Sequence, residues 1–524
     1  MRRRFFIFWF FLFFAFGILF GRLFQLQIVE GEKNRKLVEE QRISLRKIKA
    51  PRGEILDREG RILARNIPVF KRWNRQKREW ERISREEALH LEAEGEENEL
   101  SIDVLREYPY GEATSHLLGY LGEVNKEELG NYALGDLKGR TGIEEEYEEI
   151  LRGIDGGELF ETDTSGRIIR KIGKKEPIAG KDVKLSINLD LQLAAFEALK
   201  GEKGGVIAQN PNTGEVLVLV SSPSFNPNKI TKDELTDPGN PFFNRVISGI
   251  YPPGSTFKII TAAAGLEEGK IRKDTKIEDL GVITVGKYRY ANWYFTQYGK
   301  TEGMVDLVWA LKRSTDTFFY KVGEWVGAEK IIEWGRKFGL GKVLGIDLPG
   351  ESSGFLPNPS GEEWFLGNTY HLAIGQGGLM LTPLQVNVMT SVIASRGKLC
   401  RPYLFVSQGA PERDFGEREN ANKSSCFEVG LKKETISLIT EGMKEACSQG
   451  GTAFPLFDFK PQVACKTGTA EFDDPAGRTH AWLTAFAPIE NPEIVVTALV
   501  EAGGEGSSVA APIVKKVLDA YFHR

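Results

Sequence analysis

The sequence predicts an α+β protein with an N-terminal transmembrane helix. Residues 5–29 are almost entirely apolar, and residues 41–66 alternate between apolar and polar side chains as strands do. Residues 184–500 begin and end with β-rich runs that enclose helical patterns, which favours the α+β class. A chain of 524 residues is long enough for two or three folded units.

The N-terminal apolar run is long enough to cross a bilayer. It is uninterrupted over residues 5–20 and continues with few breaks to residue 29. About 20 helical residues span about 30 Å of hydrocarbon, and Arg2, Arg3 and Arg4 favour a cytoplasmic N-terminus. A cleaved signal peptide is the alternative, but no small-x-small cleavage site follows the run. We expect an uncleaved single-pass anchor in the cytoplasmic (inner) membrane, with the rest of the chain outside, in the periplasm or another extracytoplasmic space.

Charge and cysteine content limit the kinds of partner and site. The net charge of -4 leaves no excess of basic residues, so we expect no nucleic-acid partner. The four cysteines contain no CxxC pair, so a cysteine-based zinc site is not expected. Outside the cytoplasm one or two disulfides are possible, with buried thiols as the alternative. We expect a link between Cys400 and Cys426, which flank a polar loop. Cys465 is expected to stay a buried thiol near Cys447, because strand alternation turns it into the core.

The exported part is expected to contain a small region followed by a larger one. Residues 41–66 indicate strand, turn and strand, whereas residues 67–100 have the composition of a short, solvated helical insertion. A polar stretch with turn residues at positions 172–182 predicts a boundary. The expected divisions are an anchor at residues 1–29, a smaller middle region at 30–178 and a C-terminal domain at 179–524.

The C-terminal domain is expected to build one sheet from both of its ends. Two β-rich runs between residues 204 and 220 are separated by a Pro-Asn-Thr-Gly turn signal. Helical patterns fill the middle, and strands return at residues 463–470, 481–487 and 494–500 before a final helix. This arrangement suggests that the first and last strands share one sheet.

Ser255 and Lys258 are the leading candidates for catalysis. A serine and an amine three residues apart face the same way on a helix, an arrangement that suits acyl transfer without a histidine. A Pro-Pro-Gly turn precedes Ser255 and a helix-forming run follows it, so exposed backbone N–H groups at the helix start can stabilise an oxyanion. Ser44 and Lys47 have the same spacing, but they lie in a strand-like stretch near the membrane and are rejected as a chance match.

Two further motifs follow along the chain. The first is Ser314-Thr315-Asp316, and the second is the Lys-Thr-Gly-Thr run that begins at Lys466. A hydroxyl and a carboxylate that follow a helix can face a cleft. The alternative is that this pair only caps the helix. Each motif alone is weak, whereas the ordered set of three is typical of serine enzymes that react with penicillin.

The sequence resembles the class B penicillin-binding proteins, and within them the elongation-type penicillin-binding protein 2. The resemblance covers nearly the whole chain after residue 20. Besides the three motifs, it rests on segments at residues 51–58, 106–109, 116–122, 139–144, 211–214, 244–258, 345–351 and 375–377. It implies a membrane anchor, a mixed, β-rich pedestal and a penicillin-recognising transpeptidase domain with a five-stranded antiparallel sheet packed among helices.

The resemblance also implies catalytic roles. Ser255 is expected to be the acylated nucleophile and Lys258 its proton acceptor. Ser314 is expected to relay a proton toward the leaving group, and Lys466 to polarise the site and attract the substrate carboxylate. Asp316 stands where many relatives carry asparagine and is typical of the elongation type.

The remaining residues of the third motif are expected to bind substrate. Thr467 and Thr469 would hydrogen-bond the carboxylate, and Gly468 would let the substrate backbone lie close. The backbone N–H groups of Ser255 and Thr469 would form the oxyanion hole. Some elongation-type relatives hold zinc near the second motif, but Thr315 occupies its middle position here, so we expect neither a metal nor a cofactor.

The activity implied is peptidoglycan D,D-transpeptidation, the cross-linking of stem peptides through a serine acyl-enzyme during cell elongation. β-Lactams would acylate the same serine. A division-type enzyme, a membrane-bound β-lactamase and a β-lactam sensor are the alternatives. The sequence between the anchor and the C-terminal domain resembles a pedestal and not a glycosyltransferase, so the resemblance implies a separate SEDS-family peptidoglycan glycosyltransferase as partner.

Overall fold

A computed structural model of the chain describes residues 2–33, 43–74, 76–77, 79–94, 100–130, 132–162, 168–361, 363–406 and 425–523. The chain divides into one unit of Met1–Gly53 and Glu149–Lys181 and another of Glu54–Glu148 and Asp182–Arg524. The boundaries predicted after residues 29 and 178 divide the chain by function and not by contacts. They stay a prediction.

The strands are numbered from the N-terminus. They are β1 (Ile43–Ile48), β2 (Ile55–Leu56), β3 (Ile62–Asn74), β4 (Glu79–Ile83), β5 (Leu100–Glu107), β6 (Leu121–Glu123), β7 (Leu137–Gly139), β8 (Gly156–Thr162), β9 (Ile168–Lys175), β10 (Val183–Lys184), β11 (Gly204–Gln209), β12 (Val216–Ser222), β13 (Ile277–Asp279), β14 (Val282–Val285), β15 (Tyr288–Ala291), β16 (Gly303–Val305), β17 (Lys398–Cys400), β18 (Cys426–Glu428), β19 (Ala464–Glu471), β20 (Thr479–Ala487) and β21 (Ile494–Val500).

The α-helices are numbered in the same way. They are α1 (Arg2–Phe24), α2 (Arg85–Ala93), α3 (Ser115–Leu118), α4 (Gly142–Glu146), α5 (Glu148–Leu151), α6 (Leu189–Leu199), α7 (Lys232–Thr236), α8 (Lys258–Glu267), α9 (Trp293–Tyr298), α10 (Leu307–Arg313), α11 (Asp316–Val326), α12 (Ala328–Lys337), α13 (Leu366–Ala373), α14 (Pro383–Ala394), α15 (Lys433–Ala446) and α16 (Ala511–Phe522).

The first unit contains the helix expected to cross the membrane. α1 continues into a π-helical segment, Gln25–Val29. The apolar stretch Phe5–Val29 is 25 residues long, has a mean hydropathy of 2.1 and is not buried in the protein. This length exceeds the roughly 20 residues that a bilayer requires, so the helix fits the predicted anchor. The same unit contains an antiparallel sheet of order β1-β8-β9.

The helical insertion predicted at residues 67–100 was wrong where the chain forms strands, at residues 67–74 and 79–83. β3 extends to Asn74 and pairs antiparallel with both β4 and β5. The Trp73 and Trp80 rings lie 5.4 Å apart across the β3–β4 pair. Among the described residues of the segment, α2 is the helical part, and residues 95–99 of the predicted insertion lie outside the described residues. Pairing with a strand distant in sequence overrides local helix propensity.

The second unit contains the predicted five-stranded antiparallel sheet. Its order is β12-β11-β21-β20-β19, so the first strands of the domain lie beside the last ones. Neighbouring residues on β20 belong to different buried clusters. Trp482 is in the cluster that contains residues of α8, α10 and α11, and Leu483 is in the cluster that contains residues of α6 and α16. β19 is an edge strand and carries the third motif.

All four cysteines form disulfides in the structure. Cys400 of β17 is bonded to Cys426 of β18, the pair that was predicted. The prediction of a buried free thiol at Cys465 was wrong, because its buried sulfur is bonded to Cys447. Cys447 caps the end of α15, which packs on β19, so the two sulfurs meet through tertiary packing and not through a local pattern.

Candidate active site

Ser255 lies in a short 3-10 turn directly before α8. The turn covers Gly254–Phe257, and the backbone N–H of Lys258 donates to Ser255 O and Thr256 O. From residue 251 to residue 260, Ser255 alone is half-buried and every other residue is buried. The serine is thus the accessible point of a buried turn, at the helix start that the sequence predicts.

Two hydrogen bonds hold this turn in place. Trp482 Nε1 donates to Pro252 O over 3.0 Å, and Gly254 N donates to Gly375 O over 2.9 Å. Gly375 has a φ of +80°, and a Cβ atom there would lie 2.0 Å from Gly254 O. A glycine is therefore required at position 375, both for the left-handed backbone and for the close approach to the serine turn.

Lys258 is a fully buried amine that is bonded to the second motif. Its Nζ donates to Asp316 Oδ1 (2.6 Å), to Ser314 O (2.8 Å) and to Ser314 Oγ (3.1 Å). These three acceptors match the three protons of an ammonium group. The first and second motifs, which are 56 residues apart, therefore meet at this nitrogen.

Ser314 connects the two active-site lysines. It caps the end of α10 in the left-handed region, with φ 58° and ψ 39°, which non-glycine residues rarely adopt and which often marks a functional position. Its Oγ accepts from Lys258 Nζ (3.1 Å) and from Lys466 Nζ (2.9 Å). A hydroxyl that accepts twice still has its own proton to donate. Ser314 can therefore pass a proton between either lysine and a third group.

Burial lowers the pKa of both lysines. The pKa of Lys466, fully buried on β19, lies well below its usual value, chiefly because of burial and also because of the charge on Lys258. Burial also lowers the pKa of Lys258, and the Asp316 carboxylate opposes that change. A lowered pKa makes a neutral amine accessible, as a general base requires.

The third motif contacts residues that sequence reasoning missed. Thr467 Oγ1 donates to Thr452 Oγ1 over 2.7 Å, and Gly506 N lies 3.5 Å from the exposed Thr469 hydroxyl. Thr452 lies in a loop and Gly506 begins a π-helical segment, and neither belongs to a motif, so no local pattern indicates them. Both hydroxyls of the motif are held near the free edge of the sheet.

Gly468 has a structural partner that was not expected. A Cβ atom there would lie 3.0 Å from Trp482 Cβ and 3.1 Å from both Pro253 O and Thr256 Cγ2. The missing side chain therefore lets β19 pack closely against the serine turn. The proposed approach of a substrate backbone stays a prediction.

The outer edge of β19 is available for pairing near the serine. In the amide orientation that satisfies both of its polar atoms, Gln376 pairs with the end of the strand, accepting from Glu471 N (2.9 Å) and donating to Glu471 O (3.2 Å). Because every second residue of a strand presents its N–H and C=O to the same edge, the Thr469 N–H points to this edge as well. The described residues contain no group of three or more His, Cys, Asp or Glu side chains that could hold a metal ion.

Two family models match the chain. The first is described as the penicillin binding protein transpeptidase domain and covers residues 204–519. The second is described as the penicillin-binding protein dimerisation domain and covers residues 74–185. The three motifs all lie within the first match.

Curated relatives match most of the chain. The peptidoglycan D,D-transpeptidase MrdA of Haemophilus influenzae is 31% identical, with 97% of this chain and 90% of that protein covered. The protein of the same name from Acinetobacter baumannii is 34% identical over 80% of this chain, and the match spans 66% of its length.

Solved structures also match. The penicillin-binding protein PBP2 in a complex with MreC from Helicobacter pylori has a TM-score of 0.78 and 28% identity, with 91% of this chain and 98% of that chain covered. A structure titled as structural coordination of polymerization and crosslinking by a peptidoglycan synthase complex has a TM-score of 0.80 and 29% identity, with 99% and 98% covered.

Proposed function

Because this chain belongs to the penicillin-binding protein transpeptidase family, we propose that it is a peptidoglycan D,D-transpeptidase that cross-links stem peptides through an acyl-enzyme on Ser255. The observation that carries this proposal is the Ser314 hydroxyl, which accepts from Lys258 and Lys466 beside the serine turn. A nucleophile, a buried amine with a lowered pKa and a hydroxyl relay are the groups that acyl transfer needs.

Acylation starts with neutral Lys258. Its amine takes the Ser255 proton as Oγ attacks the carbonyl carbon of the terminal peptide bond of the donor stem. The backbone N–H groups of Ser255 and Thr469 stabilise the resulting oxyanion, which is supported by the close approach of the serine turn to β19, where a Cβ atom at Gly254 would lie 3.1 Å from Thr469 O. Collapse breaks the C–N bond, and the leaving amine receives a proton through Ser314, which is replenished by Lys258.

The second half-reaction reverses these proton movements. The amine of an acceptor stem attacks the acyl-enzyme carbonyl, loses a proton to the same relay and releases Ser255 as the alcohol. During the acylation step, Lys466 and the hydroxyls of Thr467 and Thr469 hold the carboxylate of the donor stem at the edge strand, until it departs with the leaving amine. Asp316 contributes by keeping the Lys258 amine within reach of Ser314.

We also propose that the enzyme works in cell elongation with partner proteins. The two curated relatives named above carry the MrdA name, one similar structure is a complex with MreC and another belongs to a peptidoglycan synthase complex. A SEDS-family glycosyltransferase that makes the glycan strands is the polymerase we propose for it. The chain is a single-pass membrane protein by its N-terminal apolar helix, and we propose that its N-terminus is cytoplasmic and its active site extracytoplasmic.

Covalent labelling of the membrane-bound protein with a fluorescent penicillin tests the proposal. Wild-type protein should be labelled, and Ser255→Ala should lose the label with little change in its unfolding temperature. Ser44→Ala is the matched control, because it alters the other serine with the same spacing to a lysine, and its labelling should equal wild type. Labelling of Ser255→Ala at the wild-type rate would refute the assignment of the nucleophile.

A further inference from the structure

A buried polar network continues from Asp316 into the domain interior. Asn292 is 0% exposed and Asp279 is 2% exposed, and neither belongs to one of the three motifs. Burying an amide and a carboxylate is costly unless each is hydrogen-bonded. Their partners therefore indicate what they do.

Asn292 and the residue after it hold Asp316 at two points. Asn292 Oδ1 accepts from Asp316 N over 3.1 Å, and Trp293 N donates to Asp316 Oδ2 over 3.1 Å. Both the backbone and the carboxylate of Asp316 are thus fixed by adjacent residues at the start of α9. The other carboxylate oxygen, Oδ1, is left to bind Lys258 Nζ at 2.6 Å.

Asp279 in turn fixes Asn292. Its Oδ2 accepts from Asn292 Nδ2 (2.9 Å) and from Glu302 N (2.8 Å). Its Oδ1 accepts from Gly281 N (2.9 Å) and from Thr317 Oγ1 (2.7 Å). The carboxylate can only accept, so it imposes one orientation on the Asn292 amide, with Oδ1 directed at Asp316 N.

We propose that Asp279 and Asn292 are positioning residues that hold the Asp316 carboxylate against Lys258 and so set the protonation of the base in the acylation step. This inference rests on the proposed function of Ser255 and Lys258. Asp279 acts through two routes, because it binds Asn292 directly and also binds Thr317, the residue after Asp316. The network connects β13, α9 and α11, so it requires the fold and has no signature in sequence.

The expected effect on Lys258 has a definite sign. The titratable groups that face its amine are Asp316 from α11 and Lys466 from β19. Asp316 favours the charged amine, and burial disfavours it. If the network is cut and Asp316 moves away, Lys258 loses its counter-ion and its pKa falls further. The acidic limb of the acylation rate, which requires neutral Lys258, then moves to lower pH.

The test measures the rate of fluorescent penicillin labelling against pH for full-length protein in detergent. Asn292→Ala should lower the maximal rate by about tenfold and move the acidic midpoint down by about one pH unit. The control is Asn387→Ala, which removes another fully buried asparagine that bonds Ile207 O, Val495 O and Thr497 Oγ1 in a different part of the domain. The control should lower the unfolding temperature and leave the midpoint unchanged.

Asp279→Asn keeps the side-chain shape and is the second variant, used also if Asn292→Ala does not fold. It should reproduce the midpoint shift, because an amide no longer imposes the orientation of Asn292. If either folded variant behaves like Asn387→Ala, with lower stability but an unchanged rate and midpoint, the positioning role is refuted. Absence of labelling in wild-type protein would instead refute the proposed function.

Discussion

Lys466 Nζ lies 2.9 Å from Ser314 Oγ, although 152 residues separate the two in the chain. The same oxygen accepts from Lys258, so one hydroxyl joins the second motif to the first and the third. Both lysines are fully buried and both have lowered pKa values. This relationship makes the protonation of the three groups interdependent, and acylation should respond to any change that alters it.

Lys258→Arg should reduce the rate of penicillin acylation by orders of magnitude. An arginine keeps the positive charge but stays protonated at all accessible pH values, so it cannot accept the Ser255 proton. Stopped-flow or gel-based labelling measures the rate. Lys312→Arg is the control, because Lys312 forms its own ion pair with Glu445, and its rate should be that of wild type. Near-normal acylation by Lys258→Arg would show that another group is the base.

Gly375→Ala should destabilise the serine turn more than Gly378→Ala. Both glycines have a positive φ, +80° and +87°, so each alanine incurs a backbone strain of roughly 1–2 kcal/mol. At position 375 the new Cβ would also lie 2.0 Å from Gly254 O, whereas nothing lies within 4 Å at position 378. Thermal unfolding and labelling of the two variants should separate the steric effect from the strain. Equal behaviour of both would contradict the close approach.

His116 should make the protein sensitive to acid. Burial lowers its pKa to about 4, whereas a histidine in an unfolded chain has a pKa of about 6.5. Between these two pH values the unfolded state therefore binds the proton more readily than the folded state does. The stability contributed by neutral His116 is complete above about pH 6.5 and is lost as the pH falls toward 4. The loss should reach roughly 3 kcal/mol.

Denaturant unfolding at several pH values measures this loss. His116→Phe should flatten the fall in stability between about pH 6.5 and 4, because phenylalanine does not titrate. His90→Gln is the control, since the His90 side chain is 73% exposed, and this variant should keep the wild-type pH dependence. An unchanged slope in His116→Phe would contradict the assignment.

Peptide mapping of the unreduced, alkylated protein should recover two intrachain links, Cys400–Cys426 and Cys447–Cys465. The second closes a loop of 18 residues, and its removal by Cys447→Ser with Cys465→Ser should cost about 3 kcal/mol of unfolding free energy. Recovery of alkylated Cys447 and Cys465 from the native protein would contradict this link. Alkylated Cys400 and Cys426 would contradict the other.

Several features could be derived from sequence because they depend on neighbours in the chain. The membrane anchor follows from the length of one apolar run, and the spacing of Ser255 and Lys258 follows from helical geometry. The strands near both ends of the catalytic domain follow from alternation and turn residues, and the five-stranded sheet is confirmed. The family resemblance is likewise confirmed by the matching family models and relatives.

Only the tertiary structure decided which groups meet. Within residues 67–100, β3 forms a strand because it pairs with β5, a partner that local helix propensity does not take into account. Cys465 bonds Cys447 because α15 packs on β19. Asp316 is held partly by the backbone N–H of Trp293, and a backbone donor is present in every residue except proline, so it has no sequence signature. The sequence determined which chemical groups this protein has, and long-range packing determined the distances between them, because those distances depend on chain segments that are far apart in sequence.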